Sequence, residues 1–362
     1  MKRLILICIG LAAIGAIAFG GFYLFQRQIT AYIFDRGVAR TLGQDPTANL
    51  SDGLHVYLCG VGSPLPSESA GPCIGIVAGQ KAFVFDTGSG SIRNLMRMGF
   101  PMEKLQSAYL THLHSDHIDG LGELLLQAWV SGGRSLPLPV LGPPGTKSVV
   151  NGFVAAYQVD RGLRIAHHGE TVVNPAGHGA TPVEIALQGG SNQKALTVYE
   201  KEGVRITAIL VDHAPVEPAY GFRVDYKGRS ISISGDTIYS PSFVEGSKGV
   251  DVMLHEALDP EMVAKMAAAL EARGQSRTAK VFRDIPSYHA SPEDAARAAS
   301  EAGAKELVYY HMIPPLTARV LHALWLGNSR DKFTGPITIG EDGMLISLPA
   351  DGREVHYSRA FR

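Results

Sequence analysis

The most apolar part of the chain is its N-terminal stretch, residues 4–25, which carries no charged side chain. It follows Lys2 and Arg3 and ends before Arg27. At about 1.5 Å per residue, a helix of this length extends roughly 33 Å, enough for the ~30 Å hydrocarbon core of a bilayer. The pattern therefore predicts an uncleaved, single-pass helix in residues 1–27 of an inner-membrane protein, with the remaining body on the periplasmic side.

A cleaved signal peptide is the alternative, because Ala16 and Ala18 form the small-x-small pair that a signal peptidase accepts. Against cleavage, the apolar run continues beyond that pair to Phe25, with aromatic residues placed as in an interfacial belt. Residues 28–52 then predict a helical or loose connector, and residues 53–362 predict one α/β domain.

Within that domain, short apolar segments of strand composition alternate with segments of helical spacing. Strands are predicted in LHVYL, AFVF and SAYLT, each followed by a glycine-containing or polar loop. Helices are predicted in LGELLLQAWV and in PEDAARAASEAGA, where Ser291 is the expected cap. The alternation predicts a two-layered α/β body with mixed strands and outer helices, whose strands deliver their loops to one edge.

Charge and cysteine content change this picture only a little. The chain has 362 residues and a formal net charge of −1, so no overall basic field indicates a nucleic-acid partner. Cys8 lies in the apolar stretch, whereas Cys59 and Cys73 lie in the domain. We favour two buried thiols for the latter pair, and a disulfide is the alternative.

Candidate chemistry is concentrated in the loop THLHSDHIDG, which follows the strand predicted to end at Thr111. The loop contains His112, His114, Asp116 and His117. Imidazole nitrogen and carboxylate oxygen are ligand types that suit zinc and metals of similar hardness. The two residues 112 and 114 share a face, while the other two can serve a second ion. The loop is therefore predicted to contribute to two metal sites rather than to be an ordinary solvated loop.

Further ligands are needed, because a bound zinc usually takes four and a catalytic ion keeps a place for water. Candidates occur where other strands are predicted to end: His213, Asp236, His255, His289 and His311. Each follows a β-branched or aromatic run and precedes a loop. Together they predict one polar rim supplied by several strands.

The ordered set of motifs resembles the metallo-β-lactamase superfamily. The cluster at residues 112–117 matches its His-x-His-x-Asp-His element, and it is followed by a later histidine, the aspartate of SGDT and a last strand-end histidine. GVGSPLP, FDTGSG, GPPG, HEA and YHASPEDAARAASEAGAKELVYYH are similar to its ribonuclease Z and arylsulfatase-like branch. The resemblance covers roughly residues 54–348. It implies an αββα sandwich with metals at one edge, between two sheets.

The resemblance also implies a set of ligands for two metal ions, with one carboxylate bridging them. The first ion would take His112, His114 and His213; the second would take Asp116, His117 and His311; Asp236 would bridge both. Zn²⁺ is the expected metal for both positions, and manganese or iron are the alternatives.

A mechanism follows from two such cations a few ångströms apart. A water that bridges them would become hydroxide near neutral pH, and Asp116 would orient it or take its proton. His289 is the candidate general acid or oxyanion stabiliser, with a structural histidine before a helix as the alternative. Glu256 is the candidate partner that orients it. His255 is expected to be structural or to support a ligand, and residues 167–168, both histidines, border either the pocket or an exposed turn.

Three classes of function are compatible with this site. We favour a membrane-tethered hydrolase of small phosphate, sulfate or carboxylic esters, lactones included. The alternative is a transfer-RNA 3′-processing endoribonuclease, but residues 134–212 carry scattered cations such as Lys147, Arg161 and Arg164 rather than a basic RNA-docking arm. A binding protein with a degenerate site is the third class, which the filled ligand positions argue against. The expected partners are a small ester and the membrane, and nucleic acid is kept open.

Overall fold

The computed structural model describes the backbone of residues 2–43, 45, 47–187 and 192–361. The chain divides into two compact units, residues 1–48 and residues 49–362. The predicted boundaries after residues 27 and 52 stay predictions.

The first unit consists mainly of one helix, α1 (Lys2–Thr41), which includes the apolar residues 4–25. The structure corrects the predicted anchor and the inner-membrane, periplasmic location built on it. Within the described part of the chain, no helix is both long enough and apolar enough to cross a membrane, which takes about 20 consecutive, mostly apolar residues. The side chains of Ala16 and Ala18, on which the cleavage alternative rested, lie outside the described residues.

The second unit contains two sheets, of eight and seven strands among its described residues. The first sheet comprises β1 (Gly53–Gly60), β2 (Cys73–Ala78), β3 (Lys81–Phe85), β4 (Leu105–Tyr109), β5 (Leu138–Gly142), β6 (Ala180–Glu184), β14 (Met344–Pro349) and β15 (His356–Arg359). The second comprises β7 (Ala195–Lys201), β8 (Val204–His213), β9 (Val216–Tyr226), β10 (Arg229–Ile233), β11 (Val252–Leu258), β12 (Glu306–Ile313) and β13 (Ile337–Ile339). The strand orders are β15-β14-β1-β2-β3-β4-β5-β6 and β13-β12-β11-β10-β9-β8-β7.

Helices cover parts of the outer faces of the sheets and also lie in the connections between strands. They are α2 (Ser91–Arg97), α3 (Ser115–Ile118), α4 (Leu121–Val130), α5 (Thr146–Ala156), α6 (Gln158–His168), α7 (Pro241–Gly246), α8 (Pro260–Ala272), α9 (Ser276–Asp284), α10 (Pro292–Ala302), α11 (His322–Leu326) and α12 (Ser329–Lys332). On the outer face of the first sheet, Val84 is buried in one cluster with Leu95 of α2 and Leu124 of α4.

The inner faces of the two sheets pack on each other. The ring of Phe85, at the end of β3, lies 5.2 Å from that of Phe222 on β9, centroid to centroid, and both side chains are fully buried. Successive strand residues point to opposite faces, so each central strand buries one set of side chains between the sheets and the other under helices. The arrangement confirms the expected αββα sandwich.

Helix α10 shows how the local sequence sets these boundaries. The Ser291 hydroxyl accepts a hydrogen bond from the backbone N–H of Asp294 at 3.0 Å, and Pro292 occupies the first turn, where no backbone donor is needed. Ala295 and Ala299 then lie buried on the inward face. The helix ends at Gly303, whose φ of 64° is left-handed and suits glycine.

Cys59 and Cys73 form a disulfide between β1 and β2, where the sequence favoured two separate thiols. Both residues are fully buried. Leu58 pairs with Ile74, and the same antiparallel register places the next residue along β1, Cys59, beside Cys73. The bond therefore closes the base of the loop formed by residues 60–72.

We expect the double variant Cys59→Ser, Cys73→Ser to lower the free energy of unfolding by about 3 kcal/mol, because the bond closes a short loop of the unfolded chain. Urea denaturation followed by circular dichroism measures the loss. Cys8→Ser is the matched control, since Cys8 is an exposed free thiol, and it should unfold like the wild type. A double variant that unfolds at the wild-type urea concentration contradicts this expectation.

Candidate metal centre

The candidate residues meet because the strands that carry them run in the same direction. Strands β3 and β4 pair in parallel in the first sheet, and strands β10, β11 and β12 pair in parallel in the second. Strand β8 is antiparallel to β9, which is antiparallel to β10, so β8 also runs with them. The carboxyl ends of all these strands reach one edge of the sandwich, and their loops meet there.

A first group of side chains combines the metal loop with the end of β8. It contains His112, His114, His213 and Asp236, whose potential ligand atoms lie within 4.8 Å of one another. The Nδ1 atom of His114 is 2.8 Å from Nε2 of His112 and 3.4 Å from Nε2 of His213. Three imidazole nitrogens thus face one point.

A second group shares Asp236 with the first. Its members are Asp116 and His117, both on α3, and His311 on β12. Asp236 places Oδ1 3.3 Å from Nε2 of His117 and Oδ2 3.3 Å from Nε2 of His311. The Oδ2 atom of Asp116 is 3.6 Å from Nε2 of His117 and 3.8 Å from Nε2 of His311. The structure therefore brings all seven ligands of the predicted set together.

Two buried atoms of this set indicate that the groups fit metal ions. Neither Nε2 of His117 nor Oδ1 of Asp236 has a hydrogen-bond partner with acceptable geometry among the described residues. Buried polar atoms are rarely left without a hydrogen-bond partner. Imidazole and carboxylate are also the ligand types of borderline-hard divalent cations. The site is therefore one for divalent metal ions.

The outward nitrogen of several ligand histidines is fixed by a neighbour. Nδ1 of His117 lies 2.8 Å from Oδ2 of Asp86, and Nδ1 of His311 lies 2.8 Å from the Gly62 carbonyl oxygen. In the first group, Nδ1 of His213 lies 2.8 Å from the Tyr288 carbonyl oxygen. Such partners set the tautomer and the ring orientation, leaving Nε2 for the metal.

Asp86 is a functional residue that the sequence analysis treated only as part of a turn in FDTGSG. Besides facing His117, its carboxylate accepts hydrogen bonds from the backbone N–H of Thr111 at 2.9 Å and from the Thr111 hydroxyl at 2.8 Å. The residue follows β3 with a φ of 55°, which is left-handed and unusual for aspartate. The position of an aspartate directly after a buried strand was the available indication.

The first group is built for neutral imidazoles. Burial lowers the pKa values of His112, His114 and His213, most strongly for His112, which is fully enclosed. Neighbouring imidazoles lower them further, since each disfavours a positive charge on the others. Neutral rings present the lone pairs that a metal needs.

The second group is dominated by carboxylates. Burial by itself lowers the pKa of His311, but the adjacent Asp236 outweighs it and raises that pKa to about 9. The pKa of His117 lies well above its ordinary value, because Asp236 and Asp86 again outweigh burial. The pKa of Asp236 is held well below its ordinary value by His311 and His117, against the effect of its burial. This half of the centre is a negative pocket that protons or cations can neutralise.

His289 lies beside the Asp236 carboxylate, at the end of the segment that follows α9. Its Nδ1 atom is 3.2 Å from Oε2 of Glu256 and 3.9 Å from Oδ2 of Asp236. Burial lowers the pKa of His289, but the Glu256 carboxylate more than compensates and raises it overall. Glu256 also accepts hydrogen bonds from the backbone N–H groups of Thr237 and Ala290. It therefore ties the loop of Asp236 to that of His289.

Other histidines named by the sequence lie outside the two groups. His255 is buried, with Nδ1 2.6 Å from the carbonyl oxygen of Glu256 and its ring edge-on to Phe243. His167 and His168 lie exposed in the last turn of α6.

Comparisons with known proteins agree with this geometry. The family model for the β-lactamase superfamily domain matches residues 81–312. A ribonuclease Z of Mycobacterium avium is 35% identical over 300 residues, covering 82% of this chain and 99% of that protein. A ribonuclease Z of Mycobacterium marinum is 34% identical over 300 residues, with the same coverage of 82% and 99%.

Two solved structures share the fold at low sequence identity. Human tRNase Z, short form, has a TM-score of 0.56 and 21% identity, and the match covers 82% of this chain and 99% of that one. The metallo-β-lactamase fold protein YhfI from Bacillus subtilis has a TM-score of 0.56 and 19% identity, over 82% of this chain and 100% of that one.

We expect Asp86→Ala to lower the affinity for metal by about 10- to 100-fold, because His117 loses the partner that orients it. Competition with a chromogenic chelator measures the affinity. Asp119→Ala is the control, since Asp119 is an exposed aspartate of the same loop, and it should bind metal like the wild type. Unchanged affinity in Asp86→Ala would remove this residue from the metal centre.

Proposed function

Because the chain belongs to the metallo-β-lactamase superfamily, in its ribonuclease Z branch, and is thus a metal-dependent hydrolase of ester bonds, we propose that it cleaves RNA phosphodiesters at the 3′ end of transfer-RNA precursors. The observation that carries the proposal is the nearly full-length match to ribonuclease Z relatives. Both ligand groups and the His289–Glu256 pair lie within the matched fold. The proposed substrate is therefore RNA, in place of the small ester that the sequence favoured.

The metal chemistry follows from the ligand set. We propose Zn²⁺ for both groups, since five imidazoles and the carboxylate of Asp116 surround Asp236 from two sides. Two bound divalent ions would act as Lewis acids toward the phosphate and supply an activated water. Asp116 is 16% exposed, compared with 3% for Asp236. It is therefore the carboxylate placed to orient the attacking water and to accept its proton.

His289 supplies the complementary proton transfer. The Glu256 carboxylate facing Nδ1 favours the protonated ring, which leaves the Nε2 proton for the oxygen that departs from phosphorus. The hydrogen bonds that Glu256 accepts from Thr237 and Ala290 hold this partner in place. General-acid assistance of this kind typically contributes 10²- to 10⁴-fold in rate.

Tyr288 offers a surface for a nucleobase at the rim of the site. Its half-buried ring lies 5.3 Å from the ring of His213 and 5.1 Å from that of His289, centroid to centroid. Aromatic side chains beside a catalytic centre stack on unpaired bases in many RNA-binding proteins.

A hydrolase of small esters is the second candidate, and one observation favours it. The arginines between the metal loop and β8 are engaged within the chain: Arg164 pairs with Asp160 at 2.6 Å, and Arg134 donates to the carbonyl oxygen of Leu105 at 2.7 Å. Cations held in this way contribute little to counterion release from a nucleic-acid backbone.

A substrate panel separates the two candidates. We expect the metal-loaded protein to remove the 3′ trailer from a transfer-RNA precursor, and to lose this activity together with its metal in Asp236→Ala. Gel analysis of the RNA and colorimetric assays of p-nitrophenyl phosphodiesters, sulfates and lactones run side by side. Turnover of a small ester while the precursor stays intact would replace the RNA proposal with the second candidate.

For His289→Ala we expect full metal content and a rate of RNA cleavage lowered by about 100-fold or more, because the leaving oxygen loses its proton donor. Single-turnover kinetics and metal analysis on the same sample give both values. His356→Ala is the control, since His356 lies exposed on β15. A His289→Ala variant that cleaves at the wild-type rate excludes the general-acid role.

A further inference from the structure

One half-buried carboxylate outside the two ligand groups is connected to the second group through a loop. Asp342 lies in the turn between β13 and β14, and its pKa is raised to about 6 by burial, against the hydrogen bonds that it accepts. The turn does not need this side chain for its own closure, because Met344 N–H donates to the Glu341 carbonyl oxygen and Gly343 N–H donates to that of Leu58. The carboxylate is directed instead at the loop of residues 61–70.

Asp342 joins the two ends of that loop. Its Oδ1 atom accepts from the backbone N–H of Val61 at 3.0 Å, and its Oδ2 atom accepts from that of Ala70 at 2.7 Å. The side chain of Asn94 reinforces this junction by donating to Oδ2 of Asp342 at 2.9 Å and to the carbonyl oxygen of Cys59 at 3.1 Å. Between these ends, residues 64 and 66–69 are exposed.

The same loop holds the strand that carries His311. The carbonyl oxygen of Val61 accepts from the backbone N–H of Met312 at 3.1 Å, and that of Gly62 faces Nδ1 of His311 at 2.8 Å. His311 is the extra residue of a β-bulge, since Glu256 pairs with Tyr310 and Ala257 pairs with Met312.

External support matters at this position because the backbone of His311 is strained. Its φ of 45° is left-handed, a conformation that costs a residue other than glycine about 1 kcal/mol or more. The carbonyl oxygens of Val61 and Gly62 contact Met312 and the ring of His311, and so support the strained residue from the loop. If the loop shifts, the ring of His311 loses the acceptor that directs Nε2 toward the second group.

We propose that Asp342 is a positioning residue for the second metal: it fixes the loop of residues 61–70 so that the Gly62 carbonyl oxygen orients His311. The proposal rests on the ligand geometry of the second group and not on the identity of the substrate. It assigns a role in metal retention to a carboxylate that touches no ligand. In the first group, His213 is oriented through the Tyr288 carbonyl oxygen instead.

The test compares Asp342→Asn with two reference variants. The amide keeps one acceptor oxygen but places an N–H group against backbone donors, so the loop loses one of its ties. Asp251→Asn is the matched control: Asp251 is buried, pairs with Arg229 at 3.1 Å, and lies at the opposite edge of the sheet from the metal groups. His311→Ala gives the metal content expected when the second group is lost.

We expect Asp342→Asn to raise the dissociation constant of one Zn²⁺ by about 10-fold or more and to leave the other unchanged. Titration of the metal-free full chain with Zn²⁺ against a competing chelator gives both constants, and circular dichroism gives the melting temperature of the metal-free form. After dialysis against the chelator, Asp342→Asn should approach the metal content of His311→Ala. Asp251→Asn should keep both wild-type constants even if it melts earlier.

Two results overturn the proposal. One is wild-type affinity for both ions in Asp342→Asn; the other is equal weakening of both ions in step with a lower melting temperature, which indicates general destabilisation. Should Asp342→Asn fail to fold, Asn94→Ala decides, because it removes the donor to Oδ2 of Asp342 and to Cys59, together with an exposed acceptor for Arg97. Selective weakening of one ion supports the proposal, and unchanged affinity contradicts it.

Discussion

The carboxylate of Asp236 lies 3.3 to 3.9 Å from ring nitrogens of five histidines, and the residue is only 3% exposed. Removing a carboxylate from water costs several kcal/mol unless positive charge and hydrogen bonds replace the lost hydration. The surrounding structure supplies such groups, since the parallel strands of both sheets end at the same edge and place imidazoles there. The fold can tolerate the buried charge only while protons or metal ions accompany it.

Two of the four described residues other than glycine with a positive φ lie at the same edge. Asp86 and His311 are both left-handed, with φ values of 55° and 45°, although neither is glycine. A β-bulge re-aims the side chain of its extra residue, and at His311 it directs the ring toward Asp236 instead of into the strand ladder. Both residues are held by several hydrogen bonds from other parts of the chain, which offset the strain. An unstrained backbone at either position would point the side chain elsewhere.

The sequence indicated which side chains meet at this edge, but not the contacts that orient them. Residues 112–117 are a compact motif, and the position of His213, Asp236 and His311 after apolar strands was enough to expect a common edge. Asp86 was missed because its role depends on its contact with His117, which no spacing rule predicts. Asp342 was missed for the same reason, since it acts on a loop 272 positions earlier in the chain.

Two other differences between the sequence-based expectations and the structure also have physical causes. Hydropathy along residues 4–25 measures composition alone, and it predicted a membrane span that the described helices do not support. The pairing of Cys59 with Cys73 depends on the register in which β1 and β2 pair, with Leu58 opposite Ile74. Two cysteines without a wider framework do not specify that register. The αββα architecture was expected because the ordered motifs resemble a known superfamily, whereas the alternating segments by themselves predicted only a two-layered α/β body.

The two halves of the centre respond differently to a cation. Burial lowers the pKa values of His112, His114 and His213, which favours the neutral rings whose lone pairs a metal ion needs. In the second group the carboxylates favour protons on His117 and His311, and a metal ion must displace them, which weakens its binding as pH falls. Metal occupancy of the second group therefore depends more on how rigidly each imidazole ring is oriented. The contacts from Asp86 and Gly62 serve that purpose, which makes the second group the half of the centre that the rest of the fold can adjust.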